Sequence, residues 1–129
     1  MKFNTKNPFP YFHFGEEELR YLINNIKQIQ KDFPYWSDPI NWNLNIISSL
    51  LILNEKKTFE FLDGIIDDYD FAIICPTFAE ISGLIQSKEF IVKIKEISER
   101  FKESKWYEPM LEHISFAEKA MNNKDESST

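Results

Sequence analysis

The side chains that most often perform chemistry in proteins are few in this chain and lie far apart in its sequence. The 129 residues include one cysteine, Cys75, and two histidines, His13 and His113. No two of them have the spacing of zinc ligands, such as two histidines four positions apart on one helix. We therefore predict no metal site and no cofactor.

Nucleophilic catalysis and phosphate binding find equally little support. Cys75 follows two isoleucines, and a cysteine in such an apolar run behaves as a small buried hydrophobe with a raised pKa. No serine is framed by glycines in the manner of a nucleophile elbow. Gly15, Gly64 and Gly83 are too scattered to build a P-loop or a dinucleotide-binding loop. The prediction is that the chain is not an enzyme.

Carboxylates are concentrated in one stretch, residues 58–87, which we call the acidic segment. It contains no lysine or arginine, whereas the rest of the chain has 15 acids and 15 bases. The whole net charge of −6 therefore lies in these 30 residues. Its densest part, residues 67–70, lacks the glycine and the distal glutamate of a calcium-binding EF-hand loop. The acids are Glu60, Asp63, Asp67, Asp68, Asp70 and Glu80.

Two compatible interpretations of the acidic segment remain open. Asp67, Asp68 and Asp70 can complement the positive end of a helix that starts near Phe71. The segment can also form an acidic surface that attracts and selects a basic protein partner. In that case Glu60 and Asp63 add charge to the three aspartates, and Tyr69 or Trp36 supplies an aromatic anchor.

The elements that position these residues are predicted to be helices. Apolar residues recur at spacings of three and four, which is typical of amphipathic helices. Residues 71–75 fit either a short strand ended by Pro76 or a helix kinked there, and the helical neighbours favour the helix. Residues 38–53 have so wide an apolar face, including Trp42 and Ile46, that we expect a central, well-buried helix. The six predicted helices lie near 16–33, 38–53, 59–66, 71–85, 88–102 and 109–121.

The predicted fold class is thus all-α, with about six helices arranged as antiparallel hairpins. Residues 1–14 form an aromatic, proline-rich N-terminal arm, and residues 15–121 form a single helical domain. Residues 122–129 are polar and are predicted to be a disordered tail.

One helical hairpin resembles a HEAT-type unit over residues 62–84. Leu62, Ile65 and Ile66 end the first helix of the pattern, and the aspartate-containing turn 67–70 follows. Residues 78–84, with Ala79 and Gly83, look like the small-residue second helix. The resemblance implies helical-hairpin geometry, so the domain is either a compact bundle or a short HEAT-like solenoid.

Size, charge and residue types also bear on function. The acidic balance argues against a general nucleic-acid binder, and no apolar run has the roughly 20 residues that span a membrane. A lone cysteine is typical of the reducing cytoplasm. In size, charge and lack of catalytic motifs the chain resembles, as a class, bacterial immunity proteins that neutralise toxic nucleases, whose active sites are basic because they hold phosphates.

The predicted function is therefore an immunity-type inhibitor that binds a basic toxin domain, a nuclease, through the acidic helices around residues 58–80. The alternative is a helical adaptor or scaffold in a larger or homo-oligomeric assembly. That protein would use its aromatic stretches 35–42 and 106–107 more than its acids. The oligomeric state stays open.

Overall fold

All regular structure in the described part of the chain is helical. The computed structural model describes residues 15–35 and 37–127, with side chains as far as Met121. The predicted arm 1–14 and the candidate anchor Trp36 lie outside the described residues. Within them, seven α-helices and one 3₁₀ turn confirm the all-α prediction: α1 Glu16–Asp32, α2 Asp38–Leu51, α3 Glu55–Asp63, α4 Asp68–Ile74, the 3₁₀ turn Cys75–Thr77, α5 Phe78–Ile85, α6 Lys88–Glu99 and α7 Tyr107–Ser127.

Side-chain caps explain where three of these helices begin. Asn54, Asp67 and Ser87 precede α3, α4 and α6 in extended conformation, and each accepts a hydrogen bond from a backbone N–H two or three residues ahead. Such caps satisfy donors that a helix start leaves without partners. Helix α2 begins without such a side-chain cap. Asp38 is the first helical residue, and Ser37 precedes it without a side-chain cap bond.

The stretch around Pro76 resolves the choice between strand and helix. Residues 68–74 form α4, and Pro76 is the middle residue of the 3₁₀ turn that leads into α5. A proline has no N–H to donate, so a regular α-helix is interrupted there. The Thr77 hydroxyl bonds to the carbonyl of Ile74 at 2.7 Å. If α4, the turn and α5 are taken as one interrupted helix, six helices result, as predicted.

The first and last helices close the structure into a bundle. Both α1 and α7 pack on α4, and α7 also packs on α5, α6 and the 3₁₀ turn. In a solenoid each repeat contacts only its neighbours along the chain. A buried hydrogen bond joins α5 to α7, where the Ser82 hydroxyl donates to the carbonyl of Ala117 at 2.7 Å. Of the two predicted architectures, the compact bundle is therefore the one formed.

The predicted hairpins form only in part. Helix α1 packs on α2 and α6 packs on α7, so two pairs of consecutive helices are in contact. Helix α3 makes its main contacts with α6 and not with α4 or α5. It is short, and Phe61 and Leu62 bury its apolar side. The helices on either side of the turn at residues 67–70 are thus not principal packing partners, as the HEAT-like hairpin over residues 62–84 would require.

The second helix differs from expectation. Ile47, Leu50 and Leu51 are buried, but Trp42 keeps 60% and Ile46 keeps 48% of its surface exposed. The expectation of a central, well-buried helix is wrong, because α2 lies at the edge of the bundle and packs only one side against it. The physical consequence is an exposed apolar stripe, taken up below.

At the carboxyl end, the apolar contacts of α7 reach as far as Met121. The helical backbone continues to Ser127. The predicted tail, residues 122–129, lies beyond the described side chains, and its disorder stays a prediction. In the described ranges, none of the helices combines the length and apolar character needed to cross a membrane.

Candidate protein-binding surface

Asp63, one of the predicted partner-binding acids, is bound within the fold. It lies at the end of α3, where its carboxylate accepts hydrogen bonds from Lys93 of α6 and from Arg100, the residue that follows α6, each at 3.1 Å. Arg100 also donates to the Asp63 backbone carbonyl at 3.0 Å. Both bases come from outside the acidic segment, so the fold supplies cations that the segment itself lacks.

Asp70 faces a different neighbour. Its carboxylate forms an ion pair with Lys27 of α1, and both side chains are less than 35% exposed. The hydrogen bond from Lys27 to this carboxylate raises the pKa of the lysine. Asp70 thus joins α4 to α1 and contributes little free charge to the surface.

Asp67 and Asp68 occupy the start of α4. Asp67 caps the helix by accepting the backbone N–H of Tyr69 at 2.8 Å. Asp68 accepts the hydroxyl of Ser104, from the turn before α7, and this bond lowers the pKa of the Asp68 carboxyl. The helix begins at Asp68, three residues before the predicted start near Phe71. Asp67 caps it and Asp68 and Asp70 lie in its first turn, so the helix-start interpretation is confirmed for all three aspartates. The carboxylates of 63, 68 and 70 also contact three different parts of the bundle.

Two acids of the segment keep exposed carboxylates without such ties. Glu60 on α3 and Glu80 on α5 are exposed, and neither has an ion pair with another described residue. Together with the exposed cap Asp67, they carry the negative charges of the acidic segment that remain available to a partner.

Tyr69, the predicted aromatic anchor, is half-buried and already engaged. Its ring meets Trp106 edge to face, with centroids 5.4 Å apart, and the Lys27 ammonium lies 5.7 Å from its centroid. Its hydroxyl bonds to the side-chain oxygen of Gln30. Tyr69 therefore closes a contact between α4, α1 and the start of α7.

A second surface, which was not predicted from the sequence, lies on α2. Five residues of α2, the first at position 41 and the others one, four, five and eight positions after it, lie on the same solvent-facing side of the helix. We call them the α2 outer face. A signal for it was present, because no charged residue occurs from Pro39 to Asn54. An uncharged solvent-facing side is unusual for a surface helix, which normally carries charged residues there. The face consists of Asn41, Trp42, Asn45, Ile46 and Ser49.

A cleft opens between α1, α2, α4 and α7, with a volume of about 230 Å³. Tyr69 and Trp106 form part of its wall, and we call it the Tyr69–Trp106 cleft. His113 of α7 is half-buried at its edge, and burial lowers the pKa of this imidazole. The remaining lining residues are Ile26, Gln30, Ile40, Leu44, Ala72, Ile73, Pro76, Pro109 and Met110.

The side chains that could act as nucleophiles or metal ligands do not come together in the described structure. Cys75 is 1% exposed, and burial raises the pKa of its thiol strongly. In residues 15–35 and 37–127, no group of three or more histidine, cysteine or acidic side chains could hold a metal ion. His13 lies outside this part of the chain.

No protein-family model matches the chain, and neither the curated proteins nor the solved structures that were searched gave a match.

Proposed function

We propose that this chain acts by binding another protein, and that the α2 outer face is the centre of the contact. The observation that carries the proposal is the exposure of Trp42 and Ile46, four residues apart on a helix surface that has no charge. Tryptophan is enriched among the residues that dominate binding energy. The cores of interfaces are also poor in charged residues.

The chemistry of the face suits a partial interface core. Trp42 and Ile46 offer apolar area, while Asn41, Asn45 and Ser49 both donate and accept hydrogen bonds. A partner can therefore cover this face without burying an unpaired charge, which is the costly event in interface formation.

The specific partner that we propose is a basic toxin domain, neutralised in the cytoplasm by an immunity-type inhibitor. Glu60, Asp67 and Glu80 support this form because their exposed carboxylates can steer a basic protein toward the chain. The acidic surface that we propose therefore consists of these three residues and is smaller than the one predicted from the sequence. The carboxylates of residues 63, 68 and 70 bind other parts of the fold and are not included.

The second candidate is the helical adaptor or homo-oligomer. The same uncharged face favours it. Two copies with a net charge of −6 each repel one another, and this repulsion is weakest where the surfaces in contact carry no charge. Sedimentation separates the candidates: a stable homo-oligomer supports the adaptor, and a monomer that binds a basic toxin supports the inhibitor.

The experiment is co-expression with the product of the adjacent reading frame, scored by growth and by co-purification. The test variant is Trp42→Ser with Ile46→Ser. The matched control is Val92→Ser, which changes another exposed apolar residue, 62% exposed, on α6.

Rescue by the wild type and by Val92→Ser, with affinity at least about tenfold weaker in the α2 variant, supports the proposal, because truncating a central aromatic residue typically costs this much. Unchanged affinity in the α2 variant contradicts the proposed surface. If the wild type neither rescues nor binds, this partner is wrong, and sedimentation then tests the adaptor.

A further inference from the structure

The Tyr69–Trp106 cleft has the composition of a site for a small molecule. Its floor consists of side chains that are also part of the core, among them Ile26, Ile73 and Met110, with exposed fractions of 8% or less. Two aromatic rings in edge-to-face contact stand beside this apolar floor. Ligand sites are typically apolar concavities with a few polar groups that orient the ligand.

The polar groups of the cleft are uncharged. Gln30 accepts the Tyr69 hydroxyl through its side-chain oxygen, so its amide N–H groups remain as donors. His113, kept largely neutral at pH 7 by its lowered pKa, has one ring nitrogen that donates and one that accepts. Among the lining residues that the structure describes, none is a lysine, arginine, aspartate or glutamate.

The bases near the cleft have other contacts. Lys27 is paired with Asp70, and Lys105 lies over the Trp106 ring at 5.2 Å from its centroid. A charged ligand would lose hydration in the cleft without gaining an opposite charge from its lining, which is unfavourable. The lining therefore selects for neutral molecules.

The volume limits the size of the ligand. An apolar cavity of about 150 Å³ is enough to bind benzene. The cleft, with about 230 Å³, has room for one or two fused rings. From this geometry we propose that the Tyr69–Trp106 cleft binds an uncharged aromatic molecule of one or two rings, seated on the aliphatic floor and oriented by Gln30 and His113.

This site is separate from the protein-binding surface. On α2, Ile40 and Leu44 line the cleft, whereas Trp42 and Ile46 belong to the solvent-facing outer face. The inference does not depend on the proposed function, and its test can fail or succeed independently.

The test uses indole as the neutral probe and benzoate as the charged probe, each titrated into the ¹⁵N-labelled chain and followed by NMR. We expect saturable shifts at the Trp106 indole N–H and at the backbone amides of residues 72 and 113. For so small a ligand, the expected Kd for indole is on the order of 1 mM. Benzoate should bind at least about tenfold more weakly, because its charge would be desolvated.

Two variants sharpen the result. Ala72→Leu fills the half-buried wall of the cleft and should weaken indole binding at least about tenfold. Gln30→Ala changes an exposed rim residue without touching the core, and should weaken it severalfold even if the first variant folds poorly. The matched control Val92→Ser, on α6 and outside the cleft, should bind indole as the wild type does.

Contrary outcomes are equally definite. The proposal is overturned if indole shows no saturation up to 10 mM, or if its shifts spread over the α2 outer face instead of the cleft. It is also overturned if folded Ala72→Leu binds like the wild type, or if benzoate binds as tightly as indole.

Discussion

Arg100 donates hydrogen bonds to both the carboxylate and the backbone carbonyl of Asp63, at 3.1 and 3.0 Å. The side chain of the residue that follows α6 thereby binds the last residue of α3. Asp63 lies in a segment of 30 residues without a base, yet two cations meet it in space. Charge segregation along a sequence is therefore a poor guide to charge segregation on a surface.

Replacing Asp63 by asparagine should lower the free energy of unfolding by up to about 1 kcal/mol, because the network is partly exposed and such pairs contribute modestly. Urea denaturation measures the loss. It should shrink in 1 M NaCl, which screens the ion pairs. The matched control is Glu60→Gln on the same helix, where no ion pair with a described residue is lost. Equal losses in the two variants would show that the network does not stabilise the fold.

Two substitutions of Asp67 separate its capping role from its charge. Asp67→Ala should cost about 1 kcal/mol in the free energy of unfolding, since α4 loses the acceptor for the Tyr69 N–H. Asp67→Asn keeps an acceptor and should stay within a few tenths of a kcal/mol of the wild type. Thermal unfolding distinguishes them. In the inhibitor proposal, Asp67→Asn should still slow association with a basic partner, and an unchanged rate would remove Asp67 from the binding surface.

Gly83→Ala should stabilise the protein by about 0.5–1 kcal/mol, because glycine inside a helix is less favourable than alanine by this amount. The residue lies within α5, and an added Cβ would meet the Cβ of Ala120 at 3.8 Å, an ordinary van der Waals contact. Chemical denaturation gives the difference. Gly64→Ala, just past the end of α3, is the comparison and should gain less. Destabilisation by Gly83→Ala would mean that α5 and α7 pack too closely for a methyl group.

His113 should make stability fall as the pH is lowered through 6.5. Burial holds the pKa of His113 below its ordinary value of 6.5, so near that pH the folded chain binds fewer protons than the unfolded chain. The contribution is fully present above 6.5 and is lost as the pH falls through the lower folded pKa.

The measurement is the free energy of unfolding of the wild type and of His113→Gln at pH 7.5, 6.5 and 5.5. As the pH falls to 5.5, the free energy of unfolding of the wild type should decrease more than that of His113→Gln. A difference that does not change with pH would show that His113 has the same pKa in the folded and unfolded chains.

Local patterns determined most of the helices. The apolar spacing in residues 16–33 and the interruption at Pro76 both act within a few residues, so periodicity and side-chain chemistry were enough to predict them. The acidic segment was equally plain, because residue types alone define it.

Tertiary structure decided what those patterns are used for. The cations that meet Asp63 and Asp70 come from residues 27, 93 and 100, and no local rule pairs positions about 30 to 43 residues apart. The same holds for Trp42 and Tyr69. Both are aromatic residues on apolar helices, yet the first faces solvent at the edge of the bundle and the second contacts Trp106.

By itself, then, the sequence determined an all-α chain with most of its helix positions and the position of its net charge along the chain. Only the folded bundle decided which carboxylates are neutralised, which apolar face is left uncovered and where a cleft opens. The physical reason is range: helix formation depends on neighbours within about four residues, whereas ion pairing and burial depend on which helices the bundle brings together.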